Sequence, residues 1–431
     1  MKEKLAAFAR SAKAKYGAGG IGTAQKTATE DRRVPTGALM LDYALGGGVR
    51  VGWITSLYGE KSGGKTTTAI RCMAVFQDRC RNCYRVAKNV EPVPPSEAEL
   101  KEDPDARWSA KGECTCFAEG IYVPEVPEFK GEDGKKLAAN SKKYDEAKAA
   151  WEQKLRENSY EEVVCAWIDA ENAFDKKWSA KLGLDNRRLF YVRPEAGEDA
   201  VDIMHALVCT AEVDVLCIDS IAQLVPQKEL TEAMENWQQG LQARIVNKST
   251  RKLVSGSSFV TNSHRAVTQF WINQVRDKIT MFGDPTVKPG GKGQEFAVHM
   301  ELKFKKSKQE VEDEQYGDKD EVVKVPKTET FFFSVTKNRT AGTRGVEGSY
   351  THRMRDTDAG PAGQIVDDED VFKLAMHYLV TQTKKGGASI YTLAGTEYTS
   401  QKSIGIALRD DKELGAEVRK ALLAQMLKGA A

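Results

Sequence analysis

The stretch Gly59-Glu60-Lys61-Ser62-Gly63-Gly64-Lys65-Thr66-Thr67 fits the phosphate-binding pattern G-x-x-x-x-G-K-[ST]. The residues before it are mostly apolar and strand-prone, and those from Thr67 to Phe76 are typical of a helix. In that context the glycines turn backbone N–H groups towards a phosphate chain, and the helix N-terminus adds partial positive charge. The stretch therefore predicts a nucleoside triphosphate site, with Lys65 on the β- and γ-phosphates and the Thr66 hydroxyl on Mg²⁺.

Two further apolar runs end in carboxylates. Residues 163–169 have the pattern of a buried strand that leads into Glu171, and residues 213–219 form a second apolar strand that ends in Asp219. The second run has the Walker B pattern, in which the aspartate holds Mg²⁺ through water. The carboxyl ends of parallel strands are where α/β sheets place ligands. Glu171 is therefore a candidate base for orienting an attacking water, with a helix-capping or surface glutamate as the alternative.

The composition is that of a soluble globular protein. The chain has 431 residues and a formal net charge of only +2, so no global field attracts nucleic acid and any such site must come from local clustering. We find no apolar run long enough to span a bilayer, and the N-terminus is too charged for a signal peptide. We therefore expect a cytoplasmic protein without a membrane partner.

Composition also divides the chain into parts. Residues 1–33 hold an amphipathic helix from Lys2 to Tyr16 and a glycine-rich linker; this helix either packs on another subunit or is a frayed, solvated arm. Residues 34–359 hold the core with the phosphate loop, and residues 360–431 form a small α/β module that ends in a helix. Within the core, residues 305–328 are highly charged and predict a hairpin excursion.

From about residue 78 to 160 the sequence is rich in Pro, Lys and Glu, which indicates an insertion with a helix near 141–157. It carries Cys80-Arg81-Asn82-Cys83 and Cys114-Thr115-Cys116, two pairs about thirty residues apart. Four thiolates predict a structural zinc site, because a small Pro-rich module lacks a core of its own. Free or redox-active thiols are the alternative. We expect the other cysteines to be reduced and packed in the core; they are Cys72, Cys165, Cys209 and Cys217.

A glycine-rich loop with cations follows a later strand. Residues 267–272 lead through Asn273 and Gln274 into residues 276–295, which contain several Gly, Pro, Lys and Arg residues and the aromatic Phe282. Such a loop suits a nucleic-acid backbone, and a solvated surface loop is the alternative.

Taken together, these residues resemble the bacterial RecA recombinase family. The matching motifs are PTGALMLDYALGGG, GEKSGGKTT, IDAENAFD, VDVLCIDSIAQLVP, INQVRDKITMFGDP, PGGKGQEF and TKNR. They run in order through nearly the whole chain except the insertion, which argues against a chance resemblance. The resemblance implies an α/β fold with a RecA-type P-loop ATPase core and a mostly parallel central sheet. An N-terminal helix, the inserted Cys-rich module and a small α/β C-terminal domain complete the expected fold.

The resemblance also implies roles for single residues. Glu171 corresponds to the catalytic glutamate that activates water, and Asp219 to the Walker B aspartate that holds Mg²⁺. Gln274 corresponds to the glutamine that senses the γ-phosphate and passes the signal to the DNA-binding loop after it.

Four more positions match the nucleotide site of the family. Asp175 and Trp178 match positions that contact and stack on adenine, where the family commonly has Tyr; from its sequence alone, Trp178 either stacks on a base or merely packs. Lys337 and Arg339 match two cations that reach across the subunit interface to the neighbour's phosphates. Arg339 stands where the family has Lys, which keeps the charge and adds a bidentate fork.

For DNA, the resemblance implies a first loop at 229–239 and a second at 275–291. The residues that keep the DNA-facing pattern are Arg244, Arg251, Arg276, Lys278, Ile279, Gly290 and Gly291, with Phe282 as the loop aromatic. Gln239 replaces a loop Met, with Trp237 as a nearby substitute. The insertion and the lack of an acidic tail suggest a divergent member, of bacterial or phage origin.

The resemblance implies a DNA-dependent ATPase that uses ATP and Mg²⁺ and forms a homo-oligomeric helical filament on single-stranded DNA. In that filament it would catalyse homologous pairing and strand exchange with double-stranded DNA. A branch-migration or helicase motor of the RadA type is one alternative, although its cysteine module would precede the core. A non-catalytic filament scaffold is another, against which the presence of both Glu171 and Asp219 argues.

Overall fold

A computed structural model gives the structure of the protein. It describes residues 32–81, 163–210, 212–231, 266–277, 293–316, 321–339, 343–385 and 387–429, and short pieces at 92–93, 109–110, 142–143, 146, 244, 246–247, 250–251, 253 and 286–287. The chain divides into two compact units, of which one is Phe76–Val164 and the other contains the rest. The features of the site described below all belong to the second, larger unit.

The larger unit is built on one mixed sheet. Its strands are β1 (Ile54–Gly59), β2 (Cys165–Asp169), β3 (Leu189–Val192), β4 (Val215–Asp219), β5 (Thr268–Gln274), β6 (Met300–Phe304), β7 (Lys308–Tyr316), β8 (Glu321–Asn338), β9 (Glu347–Arg353) and β10 (Ile365–Val366). They lie in the order β10-β9-β8-β6-β1-β5-β4-β2-β3, and β7 pairs with β8. From β6 to β3 neighbouring strands are parallel, whereas β7, β8, β9 and β10 pair antiparallel. The expected α/β fold with a largely parallel central sheet is confirmed.

The parallel strands form because they are apolar on both faces. Every residue of β1, β2 and β4 is buried, which is typical of a parallel strand that is covered on both sides. The largest fully buried side chains include Trp167 in β2 and Trp271 in β5. β2 and β5 therefore contribute two of the largest side chains of the buried core.

The helices of the described chain lie between and after these strands. They are α1 (Leu39–Leu45), α2 (Lys65–Gln77), α3 (Lys176–Lys181), α4 (Gly197–Thr210), α5 (Gln227–Thr231), α6 (Gly293–Ala297), α7 (Asp368–Tyr378), α8 (Gln401–Asp410) and α9 (Lys412–Gly429). Short 3₁₀ turns occur at Asn186–Arg188 and Ile221–Gln223. Of the helices that are described, none has the length and apolar character needed to cross a bilayer.

The charged segment between β6 and β8 forms the hairpin that its sequence predicts. β7 pairs with the first half of β8 from Lys308 opposite Thr330 to Tyr316 opposite Glu321. Glu312 of β7 lies 3.6 Å from the Lys327 ammonium and also accepts a hydrogen bond from Arg355. β8 continues past this hairpin to Asn338, so one long strand belongs to both the hairpin and the inner part of the sheet.

The C-terminal part adds a small sheet and three helices. The sheet strands are β11 (Thr381–Lys385), β12 (Ala388–Leu393) and β13 (Thr396–Tyr398). Helices α7, α8 and α9 share an apolar core with Leu39 of α1, and Tyr378 donates a hydrogen bond to Tyr43 of α1 at 3.1 Å. β10 extends the large sheet to Val366, beyond the domain boundary predicted at 360. The position of that boundary remains a prediction.

Two-residue strand pairs complete the described structure. They are Arg33–Val34 with Val49–Arg50, Arg276–Asp277 with Thr286–Val287, and Pro92–Val93 with Ser109–Ala110. The helices predicted at 2–16 and 141–157 fall on residues that are outside the described ranges, apart from isolated positions.

The cysteines of the larger unit are free thiols, and all but one are core residues. Cys72, Cys165 and Cys217 are buried, as expected. The prediction for Cys209 is wrong, because this residue is only half-buried on α4, with its sulfur 3.4 Å from Nε2 of His205. The apolar run predicted the helix correctly, but it did not show which side of the helix faces the core.

Candidate active site

The carboxyl ends of four parallel strands meet at one edge of the sheet. β1, β5, β4 and β2 are neighbours in that order. They end at Gly59, Gln274, Asp219 and Asp169, and the chain continues from Asp169 to Glu171. The sheet order therefore collects residues that are far apart in sequence at the edge where open α/β sheets bind ligands.

The phosphate loop between β1 and α2 is held tightly against the neighbouring strands. Gly59 has a φ of 142°, and a Cβ atom there would lie 2.0 Å from the carbonyl oxygen of Phe304 in β6. Gly64 has a φ of 87°, and a Cβ atom there would lie 2.2 Å from the ring of Phe331 in β8. Only glycine fits either position, so the loop keeps its backbone free to surround a phosphate chain.

Lys65 opens α2 and is almost completely buried. Its Nζ atom lies 3.3 Å from the carbonyl oxygen of Gly59 and 2.5 Å from that of Glu60. Burial lowers the pKa of Lys65, while the carboxylates of Asp219 and Glu171 oppose that shift. An anionic ligand in the loop would add countercharge next to this buried ammonium.

Thr66 and Asp219 form the second pair of the site. The Thr66 hydroxyl donates a hydrogen bond of 2.7 Å to Oδ2 of Asp219. Oδ1 of Asp219 is buried and has no hydrogen-bond partner among the described residues. Burial raises the pKa of Asp219 to about 7; the hydrogen bond from Thr66 opposes the shift, and the nearby Glu171 adds to it. A carboxylate oxygen without a partner beside a hydroxyl is a donor set that fits Mg²⁺.

Glu171 follows β2 in a loop that is fixed by its backbone. The amides of Ala170 and Glu171 donate to the carbonyl oxygen of Asp219 at 2.7 and 3.0 Å. Asp169 accepts from the amides of Ala173 and Phe174 at 3.3 and 3.2 Å, which closes the loop behind Glu171. The half-buried Glu171 side chain is therefore positioned by both neighbouring strands.

The loop has a further support that the sequence analysis missed. The hydroxyl of Tyr191 in β3 donates a hydrogen bond of 2.7 Å to Oδ2 of Asp169. Burial raises the pKa of Tyr191 to about 12, and its bond to Asp169 adds to the shift. A buried Asp at a strand end, followed by a loop, is the only sequence signal for this role.

Gln274 joins the end of β5 to the same site. Its Nε2 atom donates a hydrogen bond of 2.9 Å to Oε1 of Glu171. The contact connects residues 103 positions apart in the chain. The two residues that the sequence analysis assigned to water activation and phosphate sensing are thus in direct contact.

Asp175 and Trp178 lie at the start of α3. Asp175 is the N-cap, and its side chain accepts hydrogen bonds from the amides of Lys177 and Trp178 at 2.8 and 3.0 Å. The indole Nε1 of Trp178 lies 3.5 Å from the hydroxyl of Thr67 in α2. The structure therefore brings Trp178 to the end of the phosphate loop, where a nucleotide base would be expected.

Lys337 and Arg339 lie apart from this group. The pairing of β6 with β8 shifts register between Glu301 and Leu302, just before Lys337 on β8. This shift interrupts the alternation of buried and less buried residues along β8. Lys337 donates a hydrogen bond to the carbonyl oxygen of Glu295, and Arg339 to that of Phe296. Both cations thus contact the backbone of α6, whereas the phosphate loop contacts neither of them in the described contacts.

Comparison with known proteins identifies the family. The family model described as the RecA N-terminal domain matches residues 3–91 and 152–335, which is more than half of the chain. The chain belongs to the RecA N-terminal domain family. Among curated relatives, Protein RecA of Chloroherpeton thalassium is 31% identical over 275 residues, which cover 63% of this chain and 53% of that protein.

Two more curated relatives give the same result. Protein RecA of Aquifex aeolicus is 30% identical over 63% of this chain and 54% of its own length. Protein RecA of Thermus aquaticus is 29% identical over 64% of this chain and 57% of its own length. The chain thus spans about half the length of the curated RecA relatives it matches.

The RecA match passes over residues 92–151, which lie within the segment expected to be an insertion. Of the four cysteines assigned to zinc, Cys80 is buried, whereas Cys83, Cys114 and Cys116 lie outside the described residues. Within the described ranges, no three His, Cys, Asp or Glu side chains are grouped to hold a metal ion. The zinc site stays a prediction.

Most of the residues assigned to DNA also stay predictions. Arg244 and Arg251 are helical with exposed side chains, and Arg276 begins a two-residue strand. The remaining positions lie outside the described residues; they are Trp237, Gln239, Lys278, Ile279, Phe282, Gly290 and Gly291.

Proposed function

We propose that the protein is a DNA-dependent ATPase that assembles as a helical filament on single-stranded DNA and catalyses homologous pairing and strand exchange. The observation that carries this proposal is the hydrogen bond between Gln274 and Glu171. It connects the carboxylate best placed to activate water with the strand that leads into the expected DNA loop at 275–291. Membership of the RecA N-terminal domain family supports the same conclusion.

Hydrolysis of ATP would use the residues at the sheet edge. The phosphate loop and Lys65 would bind the triphosphate, and Trp178, whose indole nitrogen lies 3.5 Å from the Thr67 hydroxyl, would stack on the base. Thr66 and Asp219 would hold Mg²⁺, which supplies charge stabilisation for the leaving phosphate oxygens when it is bound. Glu171 would orient the attacking water, because its loop is fixed by Asp169 and by the carbonyl oxygen of Asp219.

Lys337 and Arg339 would act on the nucleotide of the neighbouring subunit. Both cations donate to the backbone of α6, outside the phosphate loop, which supports a role away from their own nucleotide site. If ATP lies between subunits, these cations stabilise the interface while the γ-phosphate is present. Hydrolysis would remove their partner and loosen the filament.

DNA binding would be coupled to the same event through Gln274. Its side chain contacts Glu171, and the chain leaves β5 at Gln274 towards the DNA loop. A change at the γ-phosphate can therefore shift the start of that loop, and by reciprocity DNA can change the affinity for ATP.

ATP turnover with and without single-stranded DNA tests the proposal. We expect turnover that rises on addition of DNA, and a Lys65→Ala protein purified in the same way should show none. Electron microscopy with DNA and a slowly hydrolysed ATP analogue should show helical filaments, and a strand-exchange assay should yield joint molecules. Closed rings would instead favour a motor of the RadA type, and filaments without turnover a scaffold.

We also propose that Cys80, Cys83, Cys114 and Cys116 bind one structural zinc ion. The support is their paired spacing within a segment that the family match largely passes over. Metal analysis of protein purified without added zinc should give one equivalent, which chelation removes while ATP binding persists. Less than about half an equivalent, with all four thiols freely titratable, would reject the site.

A further inference from the structure

The short helix α6 lies between the Glu171–Gln274 pair and the two cations. Its second residue, Gln294, is 7% exposed, and its Oε1 atom accepts a hydrogen bond of 3.2 Å from Nδ2 of Asn273. Asn273 is 1% exposed and is the residue before Gln274 at the end of β5. A buried side-chain hydrogen bond thus joins α6 to the strand end that carries Gln274.

Asn273 contacts both partners at once. Its Oδ1 atom accepts a hydrogen bond of 2.9 Å from the backbone amide of Gln274, while its Nδ2 atom donates to Gln294. The side chain therefore links the backbone position of Gln274 to the position of α6. Gln274 in turn donates to Glu171.

The other end of α6 holds the cations. The carbonyl oxygens of Glu295 and Phe296, next to Gln294 in sequence, accept from Lys337 and Arg339. A helix of five residues is too short to be stable alone, so its position depends on tertiary contacts. In this buried setting a satisfied amide–amide bond fixes the position well, because breaking it leaves polar groups unpaired.

We propose that Gln294 is a positioning residue that, through α6, ties Lys337 and Arg339 to the Glu171–Gln274 pair. A movement of Glu171 would then move the two cations. Binding of a neighbour's phosphates to the cations would in turn shift the position of Glu171. The kinetic part of this inference rests on the proposed ATPase function, whereas the mechanical part concerns the fold alone.

Hydrogen exchange tests the mechanical part without any activity. Gln294→Met keeps the length of the side chain and removes the acceptor. Gln269→Met is the matched control, because Gln269 is a buried amide on β5, the strand that carries Asn273, and its Oε1 atom accepts a hydrogen bond of 3.1 Å from Trp271. We expect faster exchange in residues 293–300 and 335–339 for Gln294→Met and not for Gln269→Met; equal exchange in both variants would overturn the inference.

A double-mutant cycle tests the kinetic part. We expect Gln294→Met to lower DNA-stimulated kcat by about fivefold or more with little change in KM for ATP, and Gln294→Glu, which keeps an acceptor oxygen, to recover most of it. In an Arg339→Lys background, which keeps the charge needed for turnover but removes the guanidinium bond to Phe296, Gln294→Met should have little further effect on kcat, because the contact through which it acts is gone. Effects that simply multiply would overturn the positioning role. If the unmodified protein shows no turnover, the proposed function fails, and the exchange measurement alone decides the linkage.

Discussion

The parallel and antiparallel halves of the large sheet differ in how their polar side chains meet. In the parallel half, side chains at the carboxyl ends of the strands and in the segments that follow them contact one another directly, as in the pairs Thr66–Asp219 and Gln274–Glu171. In the antiparallel half, Lys337 at the end of β8 donates to the backbone of α6. One half therefore holds the assembled site, and the other holds Lys337 and, just after β8, Arg339 against α6.

This difference suggests which chemistry one chain can perform alone. Binding of a nucleotide needs the phosphate loop and the Mg²⁺ ligands, which lie together in a single chain. On the proposed function, Lys337 at the end of β8 and Arg339 just after it would complete the site from a neighbouring subunit. Full ATP hydrolysis by a single chain would show that no neighbouring cation is needed. Mutations in each half of the sheet separate the contributions of the two halves.

Glu171→Gln should have the largest effect. The amide can still accept the hydrogen bond from Gln274, so the site keeps its geometry, but it loses the carboxylate that orients water. Turnover should fall by a factor of order 10² or more, while ATP and DNA binding persist. Steady-state ATP turnover and nucleotide-binding titrations measure the two quantities separately.

Glu417→Gln is the control for this substitution, since Glu417 is an exposed residue of α9. It should leave turnover unchanged. Equal turnover in Glu171→Gln and the unmodified protein would remove Glu171 from the mechanism.

Replacing Lys337 or Arg339 by Ala should abolish DNA-stimulated turnover and leave the chain folded. Arg339 is exposed and Lys337 half-buried, and both donate to the backbone of α6, so we expect the core to stay packed without these side chains. Mixing such a variant with Lys65→Ala protein creates interfaces that have an intact phosphate loop on one side and intact cations on the other. Activity should reappear in the mixture, and it should be measured across mixing ratios.

Two conditions make the mixing experiment decisive. Lys384→Ala, at an exposed position of β11, should behave like the unmodified protein. If mixed filaments form and no ratio recovers activity, the cations do not act across an interface.

The parallel half could largely be predicted from sequence. β2 and β4 are continuous apolar runs that each end in an aspartate, so the carboxylates at the ligand edge follow from strand ends alone. Glu171 and Asp219 were found in this way, the phosphate loop was found from its motif, and the role of Gln274 was implied by the family resemblance. The hairpin was predicted as well, because its charge contrasts with the strands around it.

What could not be predicted are the supports that come from distant parts of the chain. Asp169 meets Tyr191, Asn273 meets Gln294, and Ser307 meets the phosphate loop only because the sheet order brings them together. These polar residues have no motif, since any donor and acceptor of suitable length can form such bonds. Cys209 shows the same limit, because one face of a helix cannot be told from the other when both carry apolar residues.

The antiparallel half makes the protein sensitive to acid at His352. Its side chain is fully buried in β9, beside the rings of Phe331 and Tyr350, and its Nδ1 atom lies 3.0 Å from the carbonyl oxygen of Gly363. Burial lowers the pKa of His352 to about 4, although the bond to Gly363 opposes the shift. Between pH 6.5 and 4 the unfolded chain therefore takes up a proton that the folded chain does not.

The contribution of His352 to the free energy of unfolding should thus be largest above pH 6.5. It should fall by on the order of 3 kcal/mol as the pH approaches 4. His352→Phe should be less stable at pH 7, by about 1 kcal/mol for the lost hydrogen bond, but should show a smaller fall with acid. Urea unfolding at several pH values measures both.

Substitution of the exposed His377 by Gln is the control and should leave the pH dependence unchanged. His299 also has its pKa lowered to about 4, by burial first and by Arg339 and Lys337 next, so the fall is reduced in His352→Phe and not abolished. An unaltered fall in that variant would show that His352 ionises in the folded chain as it does in the unfolded one.

Ser307→Ala should have the smallest effect and asks whether the antiparallel half supports the phosphate loop. Oγ of Ser307 lies 2.8 Å from the carbonyl oxygen of Ser62 and 2.5 Å from Oε1 of Glu329 in β8. Ser62 has a φ of 57°, an unfavourable conformation for a residue with a side chain, so its position depends on outside contacts. The backbone amide of Ser307 also donates a hydrogen bond of 3.2 Å to the carbonyl oxygen of Ser62, and the substitution leaves this bond in place.

Only part of the support for Ser62 is therefore lost in Ser307→Ala, and we expect the KM for ATP to rise by about two- to fivefold with kcat unchanged. Ser389→Ala, which removes an exposed hydroxyl in β12 that contacts Gln382, should change neither constant. A fall in kcat with constant KM in Ser307→Ala would mean that the hairpin acts on the chemical step and not on the shape of the loop, and the division between the two halves of the sheet would have to be abandoned.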